Sequence, residues 1–273
     1  MEATALASRR ELSVVVLCYR AEDLAFDFVG QLERELSHAA IEYELVLVGN
    51  YHAESNDRTP EILRQIAEGN PRVRVVARIK EGMMGWDLRS GLEATTGSNI
   101  AVIDGDGQMP SSDVVKVYRM LQIGEYDLVK TFRAQRFDGL YRGTISFVYN
   151  LLFRALFPRS IRFRDINSKP KVFTREAYQR MVLVSNDWFT DAEIMLEAIR
   201  NNLRVGEVST IFYENERRAS FVPLSAILEF LGNLIYYRMH HWRSRVQADL
   251  AGAPVSPPPS TDDPAKKRKP DFT

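Results

Sequence analysis

An unbroken apolar run from Leu12 to Cys18 follows a polar start, the pattern of a strand covered on both faces. The period then changes. Between Asp23 and His38, Leu24, Phe28, Leu32 and Leu36 recur every four residues and predict an amphipathic helix. Glu44 to Val48 and Val73 to Ala77 read as strands, and Thr59 to Ala67 as a helix with Pro60 in its favoured first turn. Gly85 to Ala94 carries Leu88 and Leu92 on one helical face. Asn99 to Ile103 is β-branched, uncharged and preceded by the turn signal Thr96-Gly97-Ser98, which predicts a fourth strand. Repeated βα units of this length call for an α/β fold with a mostly parallel sheet and right-handed crossovers.

The second half departs from that rhythm. Tyr126 to Thr131 reads as a strand, followed by a basic stretch with Arg133, Arg136 and Arg142. Ile145 to Phe157 is a strongly apolar helical segment. Lys171 to Thr174 and Leu203 to Val208 resemble strands, with an amphipathic helix from Thr190 to Arg200 between them. Val222 to Arg243 carries a Leu224, Ile227, Leu228 and Leu231 stripe and ends in Tyr236, Tyr237, Trp242 and Arg243. The expected organisation is a short extension over 1–10, one α/β domain over 11–221, an amphipathic helix over 222–247, and a disordered tail over 248–273 rich in proline, serine and charge.

Composition narrows the function classes. Lysine plus arginine and aspartate plus glutamate balance at 36 each, so no global basic field argues for nucleic acid. The single cysteine, Cys18, has no internal disulfide partner, which fits a reducing, cytoplasmic setting. The first residues lack a basic start followed by an apolar core, so no secretory signal is expected. No stretch approaches the roughly 18 consecutive apolar residues of a membrane span. Oligomeric state is not legible.

Asp104-Gly105-Asp106, with Gln108 just beyond, follows the fourth strand directly. Two carboxylates thus emerge at the carboxyl edge of the sheet, where ligands bind in open α/β folds. Hard oxygen ligands of this kind suit Mg²⁺ or Mn²⁺ bridged to substrate phosphates. A solvated turn has the same composition, so the surrounding chain has to decide. Arg133, Arg136, Arg142 and Ser146 form a group suited to an anionic partner, since guanidinium forks bind phosphate in bidentate fashion.

The order of these pieces resembles a family 2 glycosyltransferase of the GT-A fold from about Leu12 to about Arg243. The nearest subgroup is the polyprenyl-phosphate sugar transferases of the dolichol-phosphate mannose synthase type. The likeness rests on Ser13 to Glu22, Gly85-Trp-Asp-Leu-Arg-Ser-Gly91, Asp104-Gly-Asp-Gly-Gln108-Met-Pro110, Arg142-Gly-Thr-Ile-Ser146, Asp165-Ile-Asn-Ser168-Lys-Pro-Lys171 and Phe189-Thr-Asp191-Ala-Glu193. It implies an inverting transferase in which Asp104, Asp106 and Gln108 hold a divalent metal. Tyr19, Glu22, Asn50 and Asp57 then fall on the donor side, joined after the last strand by Arg217 and Arg218. Arg133, Arg136, Arg142, Ser146 and Lys171 fall on the acceptor side. Asp191 is either a general base, where the acceptor is a hydroxyl, or an organiser of neighbouring charge, where it is a lipid phosphate. The second loop departs from the family's paired aspartates, reading Val48-Gly49-Asn50, and this leaves sugar and nucleotide base open. Alternatives are a hydroxyl-acceptor transferase and a non-catalytic nucleotide-sugar binding protein. The Phe147–Phe157 segment, the Val222–Arg245 helix and the Lys266–Lys269 tail imply peripheral contact with the cytosolic face of a membrane.

Overall fold

A computed structural model describes residues 10–137, 140–214 and 232–239. Seven strands form a single sheet: β1 (Leu12–Leu17), β2 (Tyr43–Val48), β3 (Val73–Val76), β4 (Asn99–Asp104), β5 (Leu128–Arg136), β6 (Lys171–Thr174) and β7 (Val205–Phe212). Their order is β3-β2-β1-β4-β6-β5-β7. All neighbours pair in parallel except β6, which runs antiparallel to both β4 and β5. Helices α1 (Leu24–His38), α2 (Thr59–Ala67), α3 (Met84–Glu93), α4 (Ser112–Ile123), α5 (Leu140–Leu156), α6 (Arg175–Arg180) and α7 (Thr190–Arg200) cover the two faces.

The central strands are apolar throughout because both faces are covered, and alternate residues serve opposite layers. Val14 and Val16 of β1 pack with Leu32 and Leu36 of α1, whereas Val15 and Leu17 pack with Leu88 and Leu92 of α3. A polar residue added to either set would lose about 2 kcal/mol of burial. The strand order reverses between β1 and β4, so the crevice beyond their carboxyl ends is the expected ligand site. Asp104 closes β4 at that edge.

Two differences from the sequence reading matter for the site. β5 continues through Arg136, so Arg133 and Arg136 lie on the strand and not in a loop after it. Residues three apart on a regular strand face opposite sides. Here the β5–β7 register shifts between Arg133 and Gln135, and this bulge brings both guanidiniums over the Phe212 ring, at 5.2 and 5.4 Å from its centroid. The second difference is α4, whose Val114, Val117, Tyr118 and Leu121 are buried at helical spacing.

Of the expected C-terminal helix, only residues 232–239 are described, and they are helical. Leu234 and Tyr237 are buried against the α7 side of the core, where Tyr237 donates to Glu193 at 2.5 Å and stacks near Phe189. The remainder of that helix, the N-terminal extension and the tail lie outside the described residues.

Candidate active site

Gly105 and Gly107 shape the acidic edge. A Cβ on Gly105 would come within 2.9 Å of Cys18 Sγ and Val16 Cγ1, so the turn packs directly on β1. Gly107 adopts φ +73, a conformation that glycine accepts without strain. Gln108 N donates to Asp106 Oδ1 at 3.1 Å, and the Gln108 side chain donates to the Tyr213 carbonyl at 3.2 Å. The turn is therefore tied to the end of β7, and Gln108 buttresses Asp106 from behind.

Asp104 faces an unexpected neighbour. Lys169 Nζ sits 3.2 Å from Asp104 and 2.9 Å from Asp191 Oδ2, while Lys171 Nζ sits 2.5 Å from Asp191 Oδ1. Burial alone would depress the Lys169 ammonium, but Asp104 and Asp191 outweigh it and hold its pKa well above the ordinary lysine value. Lys171 is buried deeper against other cations. Desolvation pushes its pKa down to about 8, with Asp191 opposing and Lys169 and Lys130 adding to the fall. Asp191 remains low despite its burial because the two lysines favour the carboxylate.

This geometry places Lys171 away from the acceptor side. It is fully buried, donates to Asp191 and to the Ser168 carbonyl, and does not line the basic groove. Its position follows from pairing: the β4–β6 register sets Val102 opposite Lys171 and aims its ammonium into the core. Lys169 was not singled out by the sequence. It lies two residues before β6, where its ammonium meets the Asp104 carboxylate at the end of β4.

The expected donor side falls on the first two βα loops. Asp57 Oδ1 accepts from the backbone and hydroxyl of Thr59, and Thr59 Oγ1 in turn accepts from Glu22 N. Glu22 is exposed and holds φ 45, a left-handed conformation unusual outside glycine. Lys80 Nζ lies 4.2 Å over the Tyr19 ring, whose edge meets His52. Asn50 is not open to a ligand. It is fully buried, donates to Asp87 and Ser90 at 2.9 Å each and accepts from Arg78 N, so it holds the end of β2 against α3. Lys80 and Asp87 form a buried ion pair beneath it.

On the other side of β4, a cavity of ≈ 210 Å³ is lined by Arg133, Arg136, Arg154 and Arg164 with Asp165 as its one carboxylate. Arg133 grips Asp165 in bidentate fashion, through Nε at 2.6 Å and Nη2 at 2.8 Å, and reaches Ser146 Oγ at 3.5 Å. Burial would raise the Asp165 carboxyl, but Arg133 and Lys130 hold it far below the usual range. Asp165→Asn is expected to destabilise the fold by about 3 kcal/mol, the lower end for a broken buried pair because the groove admits water. Urea unfolding checks this, and an unchanged midpoint would show the pair to be ornamental. Arg142 lies in the first turn of α5, but its side chain is outside the described residues, as are Arg217 and Arg218.

The outer face of α5 is apolar. Phe147, Val148, Leu151 and Leu152 are exposed, whereas Tyr149 and Phe153 point into the core. Phe147 and Leu151 also line the basic groove. No helix among the described residues is long and apolar enough to cross a membrane.

Asp104 and Asp106 offer the oxygen donors that Mg²⁺ or Mn²⁺ prefers, at a half-buried edge, and each Asp104 oxygen keeps lone-pair capacity beyond its lysine contact. No cluster of three His, Cys, Asp or Glu side chains suited to a metal occurs among the described residues. Two carboxylates fit an ion whose other positions are filled by water and substrate phosphate, the usual Mg²⁺ arrangement.

Comparison with known proteins gives the family. The glycosyl transferase family 2 model matches residues 13–184. Human dolichyl-phosphate beta-glucosyltransferase is 26% identical over 262 residues, covering 86% of this chain and 78% of that protein. An undecaprenyl-phosphate 4-deoxy-4-formamido-L-arabinose transferase from Photorhabdus laumondii is 31% identical over 157 residues, 56% of this chain and 46% of its own length, so the chain spans less than half of that relative. Glucosyl-3-phosphoglycerate synthase from Mycobacterium tuberculosis, crystallised with Mn²⁺, UDP-glucose and phosphoglyceric acid, superposes with a TM-score of 0.66 at 20% identity over 84% of this chain and 80% of that one. That likeness concerns the fold. The chain belongs to glycosyl transferase family 2 and is a nucleotide-sugar-dependent glycosyltransferase of the GT-A fold.

Proposed function

We propose that this enzyme moves one sugar, with inversion, from a nucleotide-sugar donor to a polyprenyl phosphate at the cytosolic face of a membrane. The observation that carries this reading is the continuity of the arginine-lined groove with the exposed apolar stripe of α5, since Phe147 and Leu151 belong to both. A phosphate headgroup suits the guanidiniums, and the attached chain suits the stripe. The named relatives that act on dolichyl and undecaprenyl phosphates point the same way.

The chain's own residues divide the work. Asp104 and Asp106 would hold a divalent cation, which supplies Lewis-acid stabilisation of the departing nucleoside diphosphate. Tyr19, Glu22 and Asp57 flank the donor crevice. Asp57 Oδ2 is buried without a hydrogen-bond partner among the described residues, an acceptor awaiting water or a ligand N–H or O–H. Arg133, Arg136 and Ser146 hold the acceptor phosphate, which is already ionised and attacks without a base. Asp191, with both oxygens engaged by lysines, organises charge behind the acidic edge.

A soluble phosphorylated acceptor is the competing reading, because the structural neighbour carries phosphoglyceric acid and guanidiniums do not distinguish the two. The stripe does. Phe147→Asp with Leu151→Asp is expected to raise the Michaelis constant for a vesicle-embedded polyprenyl phosphate about tenfold or more. A short-chain, water-soluble analogue should be used almost as before. Loss of vesicle flotation should accompany the change, and equal kinetics on both acceptors with unaltered flotation would favour the soluble acceptor.

A further inference from the structure

Lys169 occupies a place that neither the donor nor the acceptor assignment uses. Its ammonium is 2% exposed as a residue, lies 3.2 Å from Asp104 and 2.9 Å from Asp191, and takes the Met84 sulfur at 3.3 Å as a third neighbour. An ammonium has three donor hydrogens, so these contacts saturate it and fix it in one place. It is not a mobile surface lysine passing near a carboxylate. Contacts from β5 hold its backbone there, since Thr131 N donates to the Pro170 carbonyl and Thr131 Oγ1 donates to the Lys169 carbonyl at 2.5 Å.

Charge follows from position. Asp104, Asp106 and Asp191 bring three negative charges to this edge, and Lys169 and Lys171 return two positive ones, one of them in direct contact with Asp104. A divalent cation approaching without substrate therefore meets a carboxylate pair that is already partly neutralised. Repulsion between a buried ammonium and a nearby divalent ion is large at protein dielectric values, so this one lysine is able to set the affinity. A nucleoside diphosphate would bring the missing negative charge with it.

We propose that Lys169 is a resident counter-cation of the Asp104–Asp106 site, which weakens divalent-metal binding to the free enzyme and makes tight binding depend on an added diphosphate. The inference rests on the metal assignment above. Lys169 is on this account a positioning residue, acting through Asp104 and not on the sugar.

The test is Mn²⁺ binding to the full chain without substrate, followed by electron paramagnetic resonance of free Mn²⁺. Lys169→Met is expected to tighten binding about tenfold or more, equivalent to about 1.4 kcal/mol, whereas Lys169→Arg should bind as weakly as the native protein. A damaged fold loses affinity, so tightening is a result that structural disruption does not imitate. Should Lys169→Met fail to fold, Lys169→Gln, which removes the charge but keeps a donor for Asp191 and leaves the Asp191–Lys171 pair intact, carries the same expectation. Unchanged or weaker Mn²⁺ binding in a folded variant overturns the proposal. If Asp104→Asn and Asp106→Asn bind Mn²⁺ as the native protein does, with and without inorganic pyrophosphate, the metal assignment itself has failed, which is a different outcome.

Discussion

Asp106→Asn is expected to reduce sugar transfer about 10³-fold, because it removes half of the carboxylate charge available to a divalent ion that stabilises the leaving diphosphate by several kcal/mol. Its stability should move little, since Asp106 is half-buried at a turn and asparagine keeps an Oδ1 that accepts from Gln108 N. Asp104→Asn should lose transfer to the same degree. It should also stay folded, because Lys169 keeps Asp191 as a partner. Turnover at saturating Mn²⁺, measured beside circular dichroism and thermal unfolding, checks both. Near-native turnover in the two variants would remove the metal site from the account.

Asp191→Asn is expected to fail differently. Asp191 is the shared anion of two buried lysines, so its loss leaves both ammoniums undercompensated and should destabilise the fold by about 3–5 kcal/mol at neutral pH. The sign with pH follows from the direction of its shift. Its folded carboxyl is held below the unfolded value, so the stabilisation is present above that value and is lost as pH falls through the folded one. The gap between native protein and variant should therefore narrow on acidification, which urea unfolding at pH 7 and below pH 4 would reveal. In the fraction that folds, transfer to a polyprenyl phosphate should fall by less than the 10²–10⁴-fold typical of a lost general base. A variant of native stability that is catalytically dead would make Asp191 a base and the acceptor a hydroxyl.

The parts of this site that were legible in the sequence are local. The apolar run into Asp104 announces both a strand and its end, and the spacing of α1, α2, α3 and α7 announces helices within a residue of where they lie. Two helices went unassigned for different reasons. α4 carries a clear apolar stripe at helical spacing that was available to be found. α6 is six residues long, too short for periodicity to register. What was illegible depends on pairing between distant segments. Arg133 and Arg136 share a face only because of a bulge against β7, and nothing in their own neighbourhood signals it. Lys171 carries an acceptor-side expectation and Lys169 none, because only the folded sheet brings their ammoniums to Asp104 and Asp191. Asn50 has the chemistry of a nucleotide ligand, but burial and Asp87, Ser90 and Arg78 consume its hydrogen bonds.

Charge links the two ends of the site. The donor edge gathers carboxylates moderated by lysine, and the groove beyond β5 gathers four guanidiniums against one carboxylate. On the proposed reading, an anionic acceptor would be drawn to one side of β4 while the metal and donor diphosphate would balance the other. On the same reading, the exposed apolar face of α5 would turn the groove towards lipid. The same polarity would be purposeless in a protein that merely bound a nucleotide sugar, because such a protein needs no second anion site.

The most direct measurement is product formation from a radiolabelled nucleotide-sugar pool with Mn²⁺ and two acceptors that differ only in the head: a short-chain polyprenyl phosphate and the matching polyprenol. The account predicts a lipid-linked sugar from the phosphate, none from the alcohol, and loss of that product in Arg136→Ala at acceptor concentrations that saturate the native enzyme only modestly. Labelled product from the polyprenol, with none from the polyprenyl phosphate, would contradict it.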